Sequence, residues 1–440
     1  MNHRSYLFLA VPLILSALTT PLIGAVDTAV VGQLSNPAYI GGVAVGTILF
    51  NTMYWLLGFL RVSTSAFTAQ AHGANNENLI ILSFVRPLLM AAAAGTLFIL
   101  FQEPIAHLTM NAINPSSEVK KYALAYIDIR IWGAPFALIN YVILGWLIGL
   151  SRIKEAFYLQ VLMNGLNIFL DLLFVHSFSW GVSGVAAATL IAEIMAVGIG
   201  VLLIFKSNSL HFKIPPFKEV MDFDSFIQML NVNRDLFIRT ICLLIMFNLF
   251  TKLGASFGTE ILAANAILIQ VHYLMAYFFD GFANASSILT GRAIGSNDKK
   301  GYEKTVSISF AWSIYSAAFL TLVYFIVKDR LIGLFTQIQP VAELAMHYGN
   351  WLLLYPITAC FGLVFYGVFT GATSAAPVRN SMIYSLISYV IVLFFSFSMY
   401  ENHGLWFAFL VFSFGRSLFL LMYLPRLNKS LFHRKSVAYY

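Results

Sequence analysis

Cysteine and charged residues are scarce in this chain of 440 residues. The two cysteines, Cys242 and Cys360, both lie inside apolar stretches, which indicates neither a disulfide framework nor a metal site. Charged residues make up only 10% of the chain, whereas 59% of the residues are hydrophobic and the mean hydropathy is +0.80. Soluble globular domains do not have this composition. The scarcity of charge therefore predicts one polytopic membrane unit without an appended soluble domain.

The sequence also lacks the motifs of membrane-embedded enzymes. A polyprenyl transferase or an intramembrane protease needs paired acids in a DDxxD-like or GxGD-like arrangement, or an HExxH metal site. None of these patterns occurs in the sequence. A filter-like segment or a pore-lining ring, which would indicate a channel, is missing as well. We therefore expect that the protein is not an enzyme and carries no cofactor.

Long apolar runs recur along the whole chain, separated by breaks rich in Gly, Pro, Asn and charged residues. A helix needs about 20 residues to cross the hydrocarbon core of a bilayer, and each run is long enough. The sequence therefore predicts an all-α membrane protein with twelve transmembrane helices. The predicted spans are roughly residues 5–33, 38–72, 79–102, 118–149, 155–178, 181–205, 223–252, 259–292, 303–327, 341–371, 378–399 and 402–424.

Lys and Arg residues lie mainly in the connections between the apolar runs. The formal net charge is +7, but no single stretch forms a basic face. If the N-terminus is inside the cell, most of these residues fall on cytoplasmic connections, which is the usual orientation signal of a membrane protein. We therefore expect both termini in the cytoplasm, the lipid bilayer as surroundings, and no nucleic-acid partner.

The chain shows an internal repeat with a constant offset of 222 residues. The connection at 206–222 divides the predicted spans six and six, giving an N-terminal lobe at 1–205 and a C-terminal lobe at 223–440. Because each half has an even number of spans, the repeats are parallel, and parallel-repeat transporters bind substrate beside the interface of the halves. This organisation favours a secondary transporter. The paired residues include Ala44 and Ala266, Ser65 and Ser287, Asn75 and Asn297, Gly145 and Gly367, and Gly149 and Gly371.

A polar stripe at helical spacing interrupts one of the apolar runs. A carboxylate at membrane depth costs several kcal/mol unless it is paired, hydrogen-bonded or hydrated, so it is rarely present as filler. Here three uncharged polar residues share a helical face with the acid. The stripe consists of Gln160, Asn164, Asn167 and Asp171. We interpret its upper residues as one wall of a cation site, and Gln160 and Asn164 as lining a cavity below it.

Asp27 and Thr189 lie at the same predicted depth as Asp171. Each is about seven or eight residues from an outer break, which corresponds to roughly 10 Å of helical rise. Two carboxylates close together in a low dielectric cannot both ionise cheaply, so such a pair is a natural proton carrier. Carboxylate, amide and hydroxyl oxygens equally suit a sodium ion. The residues leave both options open, and no other metal site is indicated.

Three further charged residues have two interpretations each. Glu193 lies four residues beyond Thr189, and it either joins the proton relay or bonds across helices. Asp280 is placed by the repeat offset about one turn from the position equivalent to Arg61. These two residues either form a cytoplasmic-side contact between the lobes or pair locally.

Three segments resemble the multidrug and toxic compound extrusion (MATE) family, in particular its DinF-like branch. They are PLIGAVDTAVVGQL at 21–34, FLRVSTSAFTAQAHG at 59–73 and DGFANASSILTGRAIG at 280–295. The resemblance implies an inner-membrane antiporter with two six-helix lobes forming a V around a central cleft. Such a protein exports organic compounds in exchange for protons or sodium ions, and it is generally monomeric.

The resemblance also implies which residues couple transport to the ion. Family cation-site residues correspond to Asp27, Asn167, Asp171 and Thr189, and Pro12 corresponds to a proline at which the first helix bends. In the supporting network, Tyr126 and Asn140 join Asn164 and Glu193. The second lobe has no equivalent acids, because the offset places Leu249 and Leu393 at those positions. Coupling is therefore expected in the first lobe.

The expected function is efflux of organic, cationic or amphipathic compounds, driven by protons or sodium ions. An alternative is a flippase of the same superfamily that moves lipid-linked or polysaccharide precursors. Such flippases tend to hold phosphates with cationic residues inside a central cavity. Only a few residues of this chain are candidates for that role, namely Arg61, Arg234, Arg239 and Arg416.

Overall fold

The computed structural model describes residues 2–32, 37–206 and 215–432, with side chains for all of these except residues 19–32, 37 and 398. Within these ranges every regular element is a helix. In hydrocarbon a helix satisfies its own backbone N–H and C=O groups, which explains why apolar runs of this length fold this way. The α-helices are α1 His3–Gly32, α2 Pro37–Leu57, α3 Phe59–Gly73, α4 Glu77–Leu100, α5 Gln102–Ile113, α6 Ser117–Arg130, α7 Ala134–Gly149, α8 Ile153–Leu172, α9 Gly181–Phe205, α10 Phe217–Val220, α11 Phe223–Ala255, α12 Thr259–Gly295, α13 Lys299–Phe335, α14 Gln339–Tyr348, α15 Tyr355–Gly371 and α16 Ala376–Leu431.

Ten helical segments among the described residues are long and apolar enough to cross a membrane. A bent pair, Gln339–Leu353 with Tyr355–Gly371, forms an eleventh segment whose two parts differ in direction by 53°. The remaining predicted span is α1, a helix of 30 residues. Each predicted span thus coincides with a helical segment, and the predicted all-helical membrane fold is confirmed.

A short turn followed by a proline interrupts two of the spans. The turn Gly349–Leu353 separates α14 from α15, and Pro356 lies at the start of α15. In the first half, the turn Ile131–Gly133 separates α6 from α7, and Pro135 lies at the start of α7. Proline has no backbone N–H, and its ring clashes with the preceding helical turn, so the start of a helix is the position where it is best tolerated. The two halves are therefore interrupted at similar points.

The chain forms two compact units whose limits run through α1. One unit is Leu18–Met229, and the other combines Met1–Ala17 with Leu230–Tyr440. The predicted lobes differ from these units because the predicted N-terminal lobe contains the whole of α1. The cause is packing at the start of α1, where the Tyr6 hydroxyl donates to the carbonyl of Phe282 at 3.1 Å and lies 2.8 Å from the Ser286 hydroxyl.

Helix ends occur at matching positions of the two halves. Non-glycine residues with positive φ follow α3 and α12, and again follow α7 and α15. A left-handed residue at this point lets the last turn of a helix satisfy its carbonyl groups. A third pair lies before α9 and inside α16. The pairs, each separated by 222 residues, are Asn75 (51°) with Asn297 (53°), Ser151 (57°) with Thr373 (50°), and Ser179 (55°) with Glu401 (46°).

Close helix packing follows the same repeat. Gly145 and Gly149 of α7 face the backbone of α3, and Gly367 and Gly371 of α15 face the backbone of α12. A Cβ atom added at any of these four positions would come within 3.0 Å of a backbone carbonyl oxygen. Only glycine permits this approach, so the glycine pairs that reveal the repeat in the sequence are those that bring the helices together.

The halves differ at the position of Gly58. In the first half a turn at Gly58, whose φ and ψ are still helical at −57° and −18°, separates α2 from α3. The equivalent residue of the second half is Asp280, inside the continuous helix α12. Glycine disfavours a helix interior by about 1 kcal/mol relative to alanine, which fits the local break.

Candidate functional site

The polar stripe lies on α8 and is mostly buried. Asp171 has 0% of its surface exposed, Asn167 has 4% and Asn164 has 7%, while Gln160 is half-buried. The Gln160 amide donates to the Asn164 side-chain oxygen at 2.9 Å. The four residues therefore share one face, as the helical spacing predicts, and burial increases toward the acid.

Asn167 connects the stripe to α9. Its side-chain amide donates to the Thr189 hydroxyl at 3.2 Å, and this hydroxyl donates to the carbonyl of Val185 at 3.1 Å. The side-chain oxygens of Asn167 and Asn140 are buried and accept no hydrogen bond from the described residues. Buried polar atoms normally have a partner. These oxygens are available to a bound proton donor or a cation.

The first helix supplies the other predicted acid. Asp27 belongs to α1, but its side chain lies outside the described residues. Pro12 also belongs to α1, is half-buried, and lies within the part that packs with the second compact unit. The contact between Asp27 and Asp171 and the bend at Pro12 stay predictions.

A wider helical turn follows Asp171 directly. Residues Leu173–Ser177 form a π-helix at the end of α8, which the apolar pattern does not predict. Such turns are rare and often occur at functional sites, because the extra residue changes the direction in which neighbouring side chains project. In this chain the turn begins two residues after the buried acid.

Glu193 forms a buried ion pair with Arg130, a residue that the sequence interpretation did not include. Arg130 donates from Nη1 to Oε2 of Glu193 at 2.8 Å and from Nη2 to Oε1 at 2.7 Å. The two side chains expose only 7% and 10% of their surface. Bidentate pairs of this kind are strong and directional. Glu193 thus bonds across helices, which is one of its two predicted roles.

The ion pair is enclosed by aromatic and backbone groups. Arg130 also donates to the Tyr54 hydroxyl at 3.2 Å, and its guanidinium lies 5.1 Å from the ring centre of Phe50. Asn140 donates to the backbone carbonyl of Glu193 at 3.0 Å. A Cβ atom at Gly133 would collide with both charged groups. Asn140 therefore binds the backbone beside the ion pair.

Tyr126 lies one turn before Arg130 on α6. It is 4% exposed, and its ring fills the space opposite Gly46 of α2. A side chain at Gly46 would overlap this ring. Tyr126 thus belongs to the same layer as the ion pair.

Counting residues from the start of each helix could have predicted the ion pair between Arg130 and Glu193. Arg130 is the last residue of α6, a helix of 14 residues, and Glu193 lies a similar number of residues after Gly181, where α9 begins. At 1.5 Å per residue both lie about 18–20 Å from the start of their helices. Opposite charges at equal depth on two spans of one lobe are the missed signal.

Asp280 and Arg61 belong to different compact units. Asp280 accepts a hydrogen bond from the Asn284 side chain at 2.9 Å, one helical turn away. Local pairing, one of its two predicted roles, is therefore present. The predicted contact with Arg61 stays a prediction.

The second unit has apolar side chains where the first has acids. Leu393 is 7% exposed, and Leu249 packs against the same hydrophobic core. Among the residues the structure describes, no group of three or more His, Cys, Asp or Glu side chains is arranged to hold a metal ion. The chemistry available at Asp171, Asn167 and Thr189 is that of hard oxygen ligands, which suits a proton or an alkali cation.

The fold and these buried groups define a class of protein. Two parallel helical repeats with ionisable residues at membrane depth are the organisation typical of a secondary transporter. The sequence profile of the MatE family matches residues 12–173 and 236–398, one stretch in each repeat. The chain therefore belongs to the MATE family.

Relatives cover most of the chain. DNA damage-inducible protein F of Escherichia coli (strain K12) is 36% identical over 411 residues, which are 93% of this chain and 89% of the relative. A probable multidrug resistance protein NorM of Listeria monocytogenes is 22% identical and covers 80% of this chain. The resemblance to the DinF-like branch is thereby confirmed.

A solved structure has the same fold. It is described as an outward-facing conformation of a multidrug resistance MATE family transporter of the MOP superfamily. The TM-score is 0.88 at 18% identity, with 97% of each chain covered. The agreement extends over the whole chain, so both repeats share the MATE fold.

Proposed function

We propose that the protein is a secondary antiporter that exports organic, cationic or amphipathic compounds in exchange for protons or sodium ions. One observation carries this proposal. Asp171 is fully buried on a helical face that also holds Asn167, and Asn167 is hydrogen-bonded to Thr189 of the neighbouring span. A carboxylate at this depth in a transporter family member is expected to carry the coupling ion.

The proposed cycle depends on the charge of the site. When Asp171 and Asp27 release their ion, the negative charge attracts polar and cationic groups, and the amide of Asn167 and the hydroxyl of Thr189 orient toward it. When the ion binds, that charge is neutralised, the hydrogen bonds rearrange, and α1 bends at Pro12. The ion shifts this equilibrium only by its different affinity for the two states.

The charge distribution bears on how the proposed transporter is oriented in the membrane. The concentration of Lys and Arg on one set of connections supports an orientation with both termini in the cytoplasm, and membership of the MATE family supports an inner-membrane location. We propose that it works as a monomer, with small organic compounds as its only soluble partners. The coupling site lies in the first lobe, since the equivalent positions of the second lobe hold Leu249 and Leu393.

The test is ion-driven export from proteoliposomes. A fluorescent organic cation is loaded, and a pH gradient or a sodium gradient is imposed separately. The wild type is expected to export with one of the two gradients. Asp171→Asn keeps the size of the side chain and removes the charge, so export is expected to lose its dependence on that gradient.

Asp329→Asn is the matched control. This side chain is 73% exposed and lies outside the candidate site, so the variant is expected to export like the wild type. If Asp171→Asn responds to the gradient as strongly as the control does, Asp171 is not the coupling residue. If neither gradient drives export by the wild type, the antiporter assignment is wrong.

A further inference from the structure

Two arginines lie at membrane depth inside the compact unit that contains residues 230–440. Arg416, on α16, is 8% exposed, and Arg239, on α11, is half-buried. Both lie within segments apolar enough to span a membrane. An ionisable residue at such a depth is expensive and usually has a function.

Neither arginine has a counter-charge in the described part of the chain. Arg239 lies with its guanidinium 4.4 Å from the ring centre of Tyr366, and Arg416 lies 5.9 Å from that of Phe412. Arg416 packs against Gly362 of α15, one helical turn before Tyr366 on the same helix. Cation–π contacts with aromatic rings are weaker than the cost of burying a charge. The pair therefore needs an anion.

Other arginines of the same chain that are buried or half-buried do find partners. Arg130 pairs with Glu193, and Arg379 donates to the buried carboxylate of Asp235 at 2.7 Å. Arg86 donates to two backbone carbonyls, at 3.1 and 2.7 Å. Arginine side chains inside this fold thus do not generally lack partners. Among the described residues, Arg239 and Arg416 are exceptions.

Further polar atoms without partners lie beside Arg416. The Nδ1 atom of His272 and the hydroxyl of Tyr355 are buried and form no hydrogen bond with the described residues. Their ring centres are 4.4 Å apart, and Tyr355 lies two helical turns before Gly362 of α15, against which Arg416 packs. Imidazole and phenol groups donate hydrogen bonds to anions as arginine does.

Aromatic side chains surround these polar groups. The ring of Phe409 lies 5.0 Å from that of His272 and 5.9 Å from that of Tyr355. Phe247 lies 5.7 Å from His272 on another side. Apolar walls with a few convergent polar atoms are typical of sites for small organic ligands.

We propose that Arg416, Arg239, His272 and Tyr355 form a subsite for the anionic group of an amphipathic compound. The group is a carboxylate, a sulfonate or a phosphate, and the aromatic walls hold the apolar body attached to it. Guanidinium groups suit these planar or tetrahedral oxyanions because they donate in a fixed fork. The inference deepens the proposed efflux function and rests on it, since it names a substrate class for the second lobe.

The test compares two fluorescent probes that differ only in their charged group. Both carry a dansyl ring and an alkyl chain, one ending in a sulfonate and the other in a trimethylammonium. Binding is measured by fluorescence polarisation with the full chain in phosphatidylcholine nanodiscs. The wild type is expected to bind the sulfonate probe more tightly, and Arg416→Gln to weaken that binding about tenfold or more, while binding of the cationic probe is unchanged.

Arg234→Gln is the matched control. It removes the same charge from α11, the helix that carries Arg239, but the Arg234 side chain is 58% exposed and pairs with Asp235. It is expected to leave both affinities unchanged. Arg416→Lys keeps the charge without the fork, and an intermediate affinity is expected. Equal sulfonate affinity in the wild type, Arg416→Gln and Arg239→Gln would overturn the proposal.

Folding and transport are measured on the same samples. Removal of an unpaired buried charge is expected to preserve or raise thermal stability, so loss of binding in a stable Arg416→Gln protein supports the subsite. Export of the cationic probe down an imposed ion gradient tests the antiporter function separately. If that export is absent while the sulfonate probe still depends on Arg416, the antiporter proposal fails and the anion subsite stands.

A lipid headgroup offers the same chemistry as a soluble anion. The measurement is therefore repeated in phosphatidylglycerol nanodiscs, where surface repulsion affects the wild type and the variants equally. If phosphatidylglycerol lowers the sulfonate affinity of proteins that keep Arg416 but not that of Arg416→Gln, the subsite is supported and lipid phosphate is identified as an occupant. An unchanged ratio between wild type and Arg416→Gln supports the subsite with a soluble amphipathic anion as its ligand.

Discussion

Neutralising Glu193 should destabilise the unit Leu18–Met229 strongly. Glu193→Gln leaves Arg130 charged in a site where both side chains are nearly inaccessible to water, at 7% and 10% exposure. Removing one partner of a buried ion pair typically costs about 3–5 kcal/mol. The Tyr54 hydroxyl and the Phe50 ring remain as partners of Arg130, and a glutamine oxygen still accepts one hydrogen bond. We therefore expect a loss near the lower limit, about 3 kcal/mol.

The assay is reversible unfolding of the full chain in mixed micelles, followed by tryptophan fluorescence. Glu103→Gln, an exposed residue of α5, is the control for the chemical change alone. The double variant Arg130→Met with Glu193→Leu removes both charges and keeps apolar volume. Such replacements are often neutral or stabilising by about 1–4 kcal/mol, so we expect it to recover most of the stability lost in Glu193→Gln.

Two results would refute this reasoning. If Glu193→Gln unfolds within about 0.5 kcal/mol of Glu103→Gln, the ion pair is not buried in the working protein. If the double variant is less stable than Glu193→Gln, the apolar groups do not replace the pair, and the cost arises from packing instead of charge.

Three further variants test the fold. Gly371→Leu should cost about 1–3 kcal/mol because its side chain meets the α12 backbone, while Gly333→Leu, which meets open space, should match the wild type in thermal unfolding. Tyr6→Phe removes the hydroxyl that joins α1 to α12 and should cost about 1 kcal/mol in the same denaturation assay. Asn265→Leu leaves Asn402, bonded to it at 2.7 and 3.1 Å, without its buried partner, so a loss of about 1–3 kcal/mol is expected, and a smaller one would place water there.

The spans and the repeat could be predicted from the sequence because their causes are local. A membrane helix needs only a sufficiently long apolar run, and the close approach of two helices needs glycine at fixed positions. Gly145 and Gly367 therefore reveal both the repeat and the packing it produces. Asn167 and Thr189 also meet as depth counting predicts, because depth along a span is a simple function of residue number.

The buried charges are harder to predict because they depend on rotation as well as depth. Whether Arg130 faces Glu193 or lipid depends on how α6 and α9 pack, and the sequence of either helix alone does not determine this. The same holds for Arg416, since the absence of a counter-charge beside it among the described residues depends on which side chains pack around it. The assignment of the first seventeen residues to the second unit likewise depends on contacts with distant residues, such as Tyr6 with Ser286 and Ile14 with Gly281.

That assignment has a consequence for synthesis. Tyr6 and Ser286 are 280 residues apart in sequence, and at about 5–20 residues per second the ribosome needs roughly 15–55 s to add that length. Until Phe282 and Ser286 have been made, the Tyr6 hydroxyl has no native partner, whereas all residues of the unit Leu18–Met229 are synthesised before that point. The segment that holds Tyr6 thus reaches its final position late, and factors that hold nascent helices have a long time to act on it.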